Sequence, residues 1–298
     1  MRAGRTSYLA GLLGQGVQPS LTPELHEREA ARQGLRYVYT TIDLGDDELA
    51  EQALRGLLRS AVRLGFNGLN VTHPIKQAML PLVDQVTPGV RAVGALNTVL
   101  VDHGVTVGHN TDLSGFDRAF REGLPDVTLD AVVLLGAGGA GTAVAHALLD
   151  RGVRRLVVVD PDGSRAQALL ASVDPGRAGT SVGAVRPDEL PGLLEVASGL
   201  VNATPVGMAA HPGSPLPVEL LRPSLWVADI VYRPLLTPLL EAAEERGCRT
   251  LNGAGMAVHQ AADTFELITG HTADRTAMFR DFDEMVAAEV VTTPDSDH

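Results

Sequence analysis

The sequence predicts an α/β protein with two domains. Short β-type runs alternate along most of the chain with segments of helical period, which is the pattern expected of mostly parallel sheets. The chain has 298 residues, of which 45% are hydrophobic and 20% are charged. That length and composition can bury a large core, and the length suggests two domains more readily than one.

The first half of the chain contains strand patterns separated by helical ones. The strand patterns are YLAGLLG near residue 8, YVYTTIDL near 37, GLNV at 68, and NTVLVD with VTVGHN between 97 and 110. The helical patterns cover about 23–33, 48–64 and 76–83. The last of these puts Lys76 just inside the start of a helix that follows a strand.

The joint between the two domains is expected near 110–130. There TDLSGFDRAFREG predicts a helix that is capped by Thr111 or Asp112 and ends at Gly123. A second series of strand patterns follows: AVVLLG (131), RLVVVD (155), GTSVGAV (179), GLVNAT (199), LWVADIVY (225) and CRTLNG (248). After Gly253 a long helical segment could fold back onto the first domain, and the polar tail is expected to fray.

Composition excludes several classes of function. Lys and Arg total 24 against 36 Asp and Glu, and the resulting formal charge of −12 opposes binding to nucleic acid or an anionic membrane. A single cysteine, Cys248, cannot form an internal disulfide, and no Cys or His cluster has zinc spacing. The early run YLAGLL is too short for a secretory signal, and no run has the length of a membrane span. These observations predict a cytoplasmic protein without a metal.

The clearest motif is a glycine-rich turn. Gly136, Gly138 and Gly141 form G-x-G-x-x-G directly after an apolar strand pattern and at the start of a helical one. Glycines at these positions allow a tight turn and the approach of a pyrophosphate to the free N–H groups of the helix. The alternative is a tight turn that serves only packing in an unrelated α/β unit. The next strand pattern ends in Asp160, where dinucleotide folds present a carboxylate to the ribose, and this context favours dinucleotide binding.

The type of dinucleotide follows from the same aspartate. A carboxylate at Asp160 can accept hydrogen bonds from both ribose hydroxyls of NAD, but it would repel the 2′-phosphate of NADP. Arg165 leaves NADP open, because a guanidinium near that loop could pair with a phosphate, stack on the adenine or cap the helix. We expect NAD, with NADP as the less favoured cofactor.

Lys76 is a candidate catalytic residue because it follows a strand at the edge where a substrate would lie. If the second domain holds a nicotinamide, a lysine at this junction would face the cleft between the domains. The alternative is an ordinary surface lysine on a short helix. Asp112 also follows a strand and opens a helix, so it is a candidate partner, although it could serve as an N-cap.

Motifs along nearly the whole chain resemble the shikimate dehydrogenase family. They are, in order, NVTHPIKQ (70–77), GALNTV (94–99), GHNTDLSGF (108–116), GAGGAG (136–141), VNATPVGM (201–208), DIVYRPLLTPLL (229–240) and GAGMAVHQAADTFELITG (253–270). The resemblance implies reversible oxidation of the ring hydroxyl of shikimate, with hydride passing to a nicotinamide. It also implies a mixed-sheet catalytic domain at 1–112, completed by helices from about 255–290, and a Rossmann-type NAD-binding domain at 113–254, with the frayed tail at 291–298.

The resemblance also implies roles for individual residues. Lys76 transfers the proton with Asp112 as its partner, and the pair is treated as one catalyst. The implied binding residues are Asn97, Thr72 and Gln260 for the ring hydroxyls, Tyr232 for the carboxylate, Thr204, Ile230 and Gly253 at the nicotinamide, and Ala137, Gly139 and Ala140 with the glycines of the turn. Tyr232 could instead be a core residue. The family pattern gives His73 and His109 no catalytic role, and we interpret both as structural.

One segment departs from the biosynthetic branch of the family, which has Ser-x-Ser-Pro where this chain has Ser20, Leu21, Thr22 and Pro23. Both hydroxyls are implied to bind the substrate carboxylate, although Thr22 followed by Pro23 could also be a helix N-cap. A threonine here together with Asp160 resembles the NAD-dependent quinate/shikimate dehydrogenases of actinobacterial type. The sequence therefore predicts oxidation of both quinate and shikimate.

Two alternatives come from other classes of protein. A non-catalytic dinucleotide-binding sensor would keep the glycine turn but would need neither Lys76 nor Asp112. A folate-type dehydrogenase could share the two-domain plan and a cleft lysine, but it would not explain SLT, ALNT and NTD together. The expected partners are small molecules rather than nucleic acid or membrane, and a homo-oligomer is left open.

Overall fold

The computed structural model describes residues 7–173 and 179–292 as an α/β protein with two six-stranded sheets. The strands are β1 (Ser7–Gly14), β2 (Arg36–Asp43), β3 (Gly68–Val71), β4 (Gln85–Val86), β5 (Thr98–Asp102), β6 (Val105–His109), β7 (Ala131–Leu135), β8 (Arg155–Val159), β9 (Ser181–Val185), β10 (Gly199–Asn202), β11 (Trp226–Asp229) and β12 (Arg249–Leu251). The α-helices are α1 (Thr22–Arg32), α2 (Glu51–Leu64), α3 (Pro88–Val93), α4 (Thr111–Gly123), α5 (Gly139–Asp150), α6 (Gly163–Ser172), α7 (Leu190–Leu194), α8 (Pro238–Glu245), α9 (Ala254–Thr269) and α10 (Arg275–Thr292).

Among the described residues, the first compact unit contains 7–90, 95–111 and 258–292. Its sheet has the order β2-β1-β3-β5-β6-β4, with parallel pairs β1/β2, β1/β3 and β4/β6 and antiparallel pairs β3/β5 and β5/β6. The sheet is therefore mixed, as expected. A core of buried side chains that includes Leu54, Leu69, Ile75 and Met79 packs against it.

Among the described residues, the second compact unit contains 91–94, 112–173 and 179–257. Its sheet has the order β12-β11-β10-β7-β8-β9, and all five neighbouring pairs of strands are parallel. Read from β9, this is the 3-2-1-4-5-6 order of a dinucleotide-binding fold, so the Rossmann-type prediction is confirmed. The order reverses between β7 and β10, and ligands of such sheets bind at the carboxyl ends of the strands beside that point.

One helix prediction was wrong. Residues 76–79 form turns, and a short 3-10 helix at Leu80–Leu82 follows them, so Lys76 does not open a helix. Pro81 lacks an N–H donor, so it cannot make the bond to the Gln77 carbonyl that an α-helix through this segment requires. That carbonyl accepts from Leu80 N–H at 3.1 Å instead. The sequence reading also missed β4 and α3. Within the tail expected to fray, 291 and 292 belong to α10 and 293–298 lie outside the described residues.

A buried histidine lies inside the first unit. His26 on α1 is 0% exposed, and its ring lies 5.0 Å from that of Tyr39 and 6.2 Å from that of Phe265, between centroids. The Tyr37 hydroxyl lies 3.3 Å from Nδ1, whereas Nε2 has no hydrogen-bond partner among the described residues. Burial lowers the pKa of His26 to about 3. The folded protein therefore holds this imidazole neutral.

Acid should destabilise the protein through His26. The unfolded chain protonates this side chain below about pH 6.5, whereas the folded chain resists protonation down to about pH 3, so its contribution falls as pH drops through that window. Between pH 7 and pH 5 this group should remove about 2 kcal/mol from the free energy of unfolding. His26→Gln should lose correspondingly less, and urea unfolding at the two pH values measures the difference. An equal loss in wild type and variant would contradict the assignment.

Candidate functional site

Three strand ends meet at one edge of the mixed sheet. Thr72 directly follows β3, and its backbone N–H donates to the Leu13 carbonyl of β1 at 3.0 Å. Lys76 lies in the turn after it, half-buried, and its carbonyl accepts a 3.1 Å hydrogen bond from Leu96 N–H. Leu96 precedes Asn97, which leads into β5. The turn that carries Lys76 is thus fastened to the segment that carries Asn97.

Asn97 is held by the start of α4. Its Nδ2 donates to Thr111 Oγ1 at 2.9 Å, and its Oδ1 accepts from Thr111 N–H at 2.8 Å. Asn97 is 4% exposed and its Oδ1 also accepts from the Thr98 hydroxyl at 3.1 Å. Asp112 comes directly after Thr111 and is 2% exposed. The helix therefore begins at Thr111, whose N–H is satisfied by Asn97 rather than by a local cap.

The hydroxyl of Thr264 on α9 joins the same cluster. It lies 3.1 Å from Thr98 Oγ1 and 3.3 Å from Thr111 Oγ1, and it accepts from Asn70 Nδ2 at 3.3 Å. Gln260 is four residues earlier on α9, so both side chains lie on one face of the helix. The cluster thereby orients the helix that carries Gln260. Sequence reasoning missed Asn70 and Thr264, because such long-range pairings leave no local pattern.

Ser20 and Thr22 are coupled to each other. Ser20 Oγ donates to Thr22 Oγ1 at 3.1 Å and accepts from Thr22 N–H at 3.2 Å. The residue at the N-cap position of α1 is Leu21, which makes no side-chain cap, and Thr22 is the first helical residue. The N-cap role considered for Thr22 is therefore wrong, and Ser20 satisfies the N–H of Thr22 instead. The hydroxyl proton of Thr22 is not used in either bond.

In the second unit, the glycine turn joins β7 to α5 as expected. Gly136 has a φ of 94°, and a Cβ on Gly141 would lie 2.1 Å from the Gly136 carbonyl oxygen. At Gly138 an added Cβ would meet nothing within 4 Å, so there is room above the turn. Gly138 is the N-cap of α5 and provides no side-chain cap, which leaves the first N–H groups of the helix available to an anion. The turn therefore fits a dinucleotide pyrophosphate.

Two aspartates follow β8. Asp160 is 8% exposed, its Oδ2 accepts from Ala137 N–H at 2.7 Å, and its Oδ1 accepts from Asp162 N–H at 2.8 Å. Asp162 is the N-cap of α6, and hydrogen bonds from Ser164 lower its pKa. Arg165 Nε lies 3.5 Å from Asp162 Oδ2. Sequence reasoning missed Asp162, although an Asp before Gly-Ser at a helix start is a readable N-cap signal.

The residues assigned to the nicotinamide follow β10, β11 and β12. Thr204 Oγ1 donates to Asn202 Oδ1 at 2.6 Å, and Ile230 N–H donates to the Asn202 carbonyl at 3.0 Å. At Gly253 a Cβ would lie 2.5 Å from the Ile230 carbonyl oxygen, so this glycine admits the backbone of 230–231. Asn202, which the sequence reading did not single out, is thus the centre of this group.

The predicted substrate residues divide between the two units. Ser20, Thr22, Thr72, Lys76, Asn97 and Gln260 fall in the first unit, and Asp112 and Tyr232 fall in the second. The pairing of Lys76 with Asp112 therefore stays a prediction. Burial lowers the pKa of His109, so its half-buried imidazole is neutral at neutral pH. Across 7–173 and 179–292 there is no group of three or more His, Cys, Asp or Glu that could hold a metal ion, and no helix with the length and hydropathy to cross a membrane.

The second unit therefore defines a dinucleotide-binding protein, and comparison with known proteins gives the family. Residues 12–99 match the model described as the shikimate dehydrogenase substrate binding domain, and residues 253–278 match the shikimate 5'-dehydrogenase C-terminal domain. A shikimate dehydrogenase (NADP(+)) of Streptomyces avermitilis is 53% identical over 96% of this chain and 98% of its own length. The chain belongs to the shikimate dehydrogenase family and is an oxidoreductase.

Two further similarities involve Corynebacterium glutamicum. A quinate/shikimate dehydrogenase (NAD(+)) of strain R is 49% identical over 93% of this chain and 98% of its own length. The solved quinate dehydrogenase from this organism, in complex with NAD, has a TM-score of 0.85 at 48% identity and covers 93% of this chain and 99% of that chain. The resemblance to the actinobacterial quinate/shikimate dehydrogenases is confirmed, and relatives named for either dinucleotide occur.

Substitutions at two glycines of the turn should affect different properties, stability at Gly141 and dinucleotide binding at Gly138. Gly141→Ala should lower the free energy of unfolding by about 2 kcal/mol or more, because its methyl would collide with backbone. Gly138→Ala should keep wild-type stability within about 0.5 kcal/mol and weaken dinucleotide binding, because its methyl occupies only the room above the turn. Thermal unfolding and calorimetric titration measure the two effects. Wild-type affinity in Gly138→Ala would contradict pyrophosphate binding there.

Proposed function

We propose that the protein catalyses the reversible, NAD-dependent oxidation of the ring hydroxyl of quinate and shikimate, giving 3-dehydroquinate and 3-dehydroshikimate. The observation that carries the choice of cofactor is the pair of aspartates after β8. Asp160 lies where a Rossmann-type fold presents an acid to the adenosine ribose, and Asp162 adds a second carboxylate two residues later.

The charge at this turn favours NAD. Asp160 and Asp162 carry two negative charges against the single positive charge of Arg165, which already lies beside Asp162. A ribose hydroxyl can donate to a carboxylate, whereas the 2′-phosphate of NADP would bring further negative charge. The buried Asp160 carries most of this repulsion, since at an effective dielectric of 20 like charges about 6 Å apart repel by roughly 3 kcal/mol, or about a hundredfold in affinity. Solvent screens the exposed Asp162, whose contribution is smaller.

We assign the transfer of the substrate hydroxyl proton to Lys76, with Asp112 as its partner. A bound dinucleotide supplies the hydride acceptor, and the hydroxyl proton must leave the substrate oxygen as hydride leaves the carbon. Lys76 is the only lysine in the chain, and all the other residues in the Lys plus Arg total of 24 are arginines. An arginine cannot give up its proton in a protein, whereas a lysine can. A sequence that uses arginine everywhere else therefore keeps lysine at the position where proton transfer needs it.

In this proposal six polar residues orient the substrate. Thr72, Asn97 and Gln260 bind the ring hydroxyls, and Ser20, Thr22 and Tyr232 bind the carboxylate. Ser20 donates to Thr22 Oγ1, which leaves the Thr22 proton to donate to a carboxylate oxygen. The methyl of Thr22 restricts its χ1 rotamers and so fixes the direction of that donor. Quinate carries its carboxylate on a saturated carbon. We propose that the direction in which the Thr22 hydroxyl donates allows the protein to bind quinate as a substrate.

A second candidate is an NADP-dependent shikimate dehydrogenase of the biosynthetic type. The name of the Streptomyces avermitilis relative favours it, because that protein is 53% identical to this chain. In this alternative Arg165 leaves Asp162 and pairs with the 2′-phosphate. Cytoplasmic location and a homo-oligomeric state stay predictions.

Steady-state kinetics with both substrates and both dinucleotides test the proposal. We expect turnover of quinate and shikimate, with kcat/KM for NAD about 100 times that for NADP. Asp162→Asn keeps an acceptor for Ser164 N–H and removes one charge, so it should raise kcat/KM for NADP about fivefold or more and leave that for NAD within twofold. It is a sharper variant than Asp160→Ala, which would also strand two backbone N–H groups.

A higher kcat/KM for NADP than for NAD in the wild type would contradict the proposal and support the biosynthetic alternative, with Arg165 as the dominant contact to the cofactor. Absence of quinate turnover, with shikimate oxidised, would restrict the substrate to shikimate. Turnover of neither substrate would contradict the proposed function itself.

Lys76 variants test the proton-transfer role. Lys76→Arg keeps a positive charge that cannot be deprotonated, and Lys76→Ala removes the charge. We expect both to lower kcat by at least about 10², since a positioned acid or base contributes roughly 10² to 10⁴. Asp112→Asn should lower kcat as well, and dinucleotide affinity should survive in all three. If Lys76→Arg retains kcat within threefold of wild type, Lys76 acts only through its charge.

A further inference from the structure

A buried carboxylate joins the two segments that carry the proposed nicotinamide residues. Asp229, at the end of β11, is 1% exposed. Its Oδ1 accepts from Asn202 Nδ2 and from Val231 N–H, both at 3.0 Å, and its Oδ2 accepts from Thr237 Oγ1 at 2.8 Å. All three partners are donors, and they come from β10, from the segment after β11 and from the residue that caps α8.

Each partner extends the contact into a loop. Asn202 Nδ2 also donates to the Val206 carbonyl at 3.0 Å, while its Oδ1 accepts from the N–H and the hydroxyl of Thr204. Thr237 is the N-cap of α8 and accepts from Leu240 N–H at 3.3 Å. Asp229 therefore fixes the segment after β10 and the segment between β11 and α8 against each other. Both lie at the carboxyl edge of the sheet, where this fold binds its ligand.

We propose that Asp229 is a positioning residue for the dinucleotide, which in its ionised form holds residues 203–206 and 230–237 in the arrangement that the nicotinamide half requires. The inference rests on the proposed function, since it assigns Thr204 and Ile230 to that half. Asp229 itself does not touch the cofactor, because its carboxylate is buried among its three donors. It acts through Asn202, Val231 and Thr237.

The ionised form is needed because the carboxylate faces only donors. Protonation of Oδ2 would make it a donor, so Thr237 Oγ1, which already accepts from Leu240 N–H, would have to stop donating to Asp229 and accept a second hydrogen bond. The bonds from Asn202 and Val231 would also lose the negative charge that strengthens them. Burial is the largest influence on the group and raises the pKa of Asp229 to about 6, while its three hydrogen bonds act in the opposite direction. Among the described residues, the titratable groups on the segments around Asp229 are His211, Tyr232, Arg233 and Glu241. None of these four groups contributes to the raised pKa of Asp229.

The raised pKa of Asp229 has a consequence for the stability of the fold. Because the folded pKa is raised above that of the unfolded chain, the neutral form stabilises the fold below about pH 4, and this contribution is lost as pH rises through 6. Ionised Asp229 thus destabilises the folded protein at neutral pH. A group kept at the expense of stability is typical of a functional position.

The experiment is calorimetric titration of the full chain with NAD from pH 5 to pH 8. Wild type should lose affinity by about tenfold or more as pH falls through a midpoint near 6. Asp229→Asn should bind at least tenfold more weakly at pH 7.5, show a flat pH profile and have an unchanged or higher Tm. Glu241→Gln, an exposed acid in the first turn of α8, is the matched control and should behave as wild type.

Thr237→Val provides a second variant if Asp229→Asn does not fold. It removes one donor to the ionised carboxylate, so it should weaken NAD binding and move the midpoint to higher pH. Hydrogen exchange in the cofactor-free wild type, corrected for the intrinsic dependence of amide exchange on pH, should show smaller protection factors for the Thr204 and Val231 amides below pH 6 than at pH 7.5. Wild-type affinity and pH profile in Asp229→Asn would overturn the inference and leave the proposed function standing. Wild type that binds neither NAD nor NADP would overturn both.

Discussion

Two hydrogen bonds between Asn97 and Thr111 fix the edge of the mixed sheet on which the proposed chemistry depends. They connect the residue that enters β5 to the residue that follows β6 and opens α4. Without them the Asn97 amide and the first N–H of the helix would be buried and unsatisfied, at a cost of about 1–3 kcal/mol for each group. Because they are satisfied by each other, the geometry of this edge is set before any substrate arrives.

The second unit uses the same device with charged groups. Asp160 accepts backbone N–H groups from the glycine turn and from the turn after β8, so one carboxylate holds both in place. Asn202 and Asp229 do this for the loops after β10 and β11. In each case a polar side chain at the end of a parallel strand bonds to the end of the neighbouring strand or to the loop that follows it. Such loops are held in one arrangement, which lowers the entropy that a ligand would otherwise lose on ordering them.

Much of this was predictable from local patterns. The strand runs, the glycine turn with Asp160, and the helices α1, α4 and α9 all follow from periodicity and from Gly, Pro and capping residues. The helix predicted at 76–83 failed because Pro81 outweighs the apolar spacing. Asn70, Thr264, Asp229 and Thr237 could not be predicted, since a buried Asn, Thr or Asp reveals its partner only once distant segments meet. Their roles come from contacts between residues far apart in the chain.

The central claim is that the buried polar cluster of Asn70, Asn97, Thr98, Thr111 and Thr264 sets the geometry for substrate. The most direct test is kcat/KM for shikimate in Thr264→Val, which keeps the shape of the side chain and removes the shared hydroxyl. Thr269→Val, on the same helix and buried to a similar extent, is the control, because its hydroxyl bonds only to groups at its own helix end, donating to the Phe265 carbonyl and accepting from His271 N–H. The account predicts a fall of about 10-fold or more in Thr264→Val, with NAD affinity unchanged and kcat/KM in Thr269→Val within about twofold of wild type. Equal kcat/KM in Thr264→Val and wild type would contradict it.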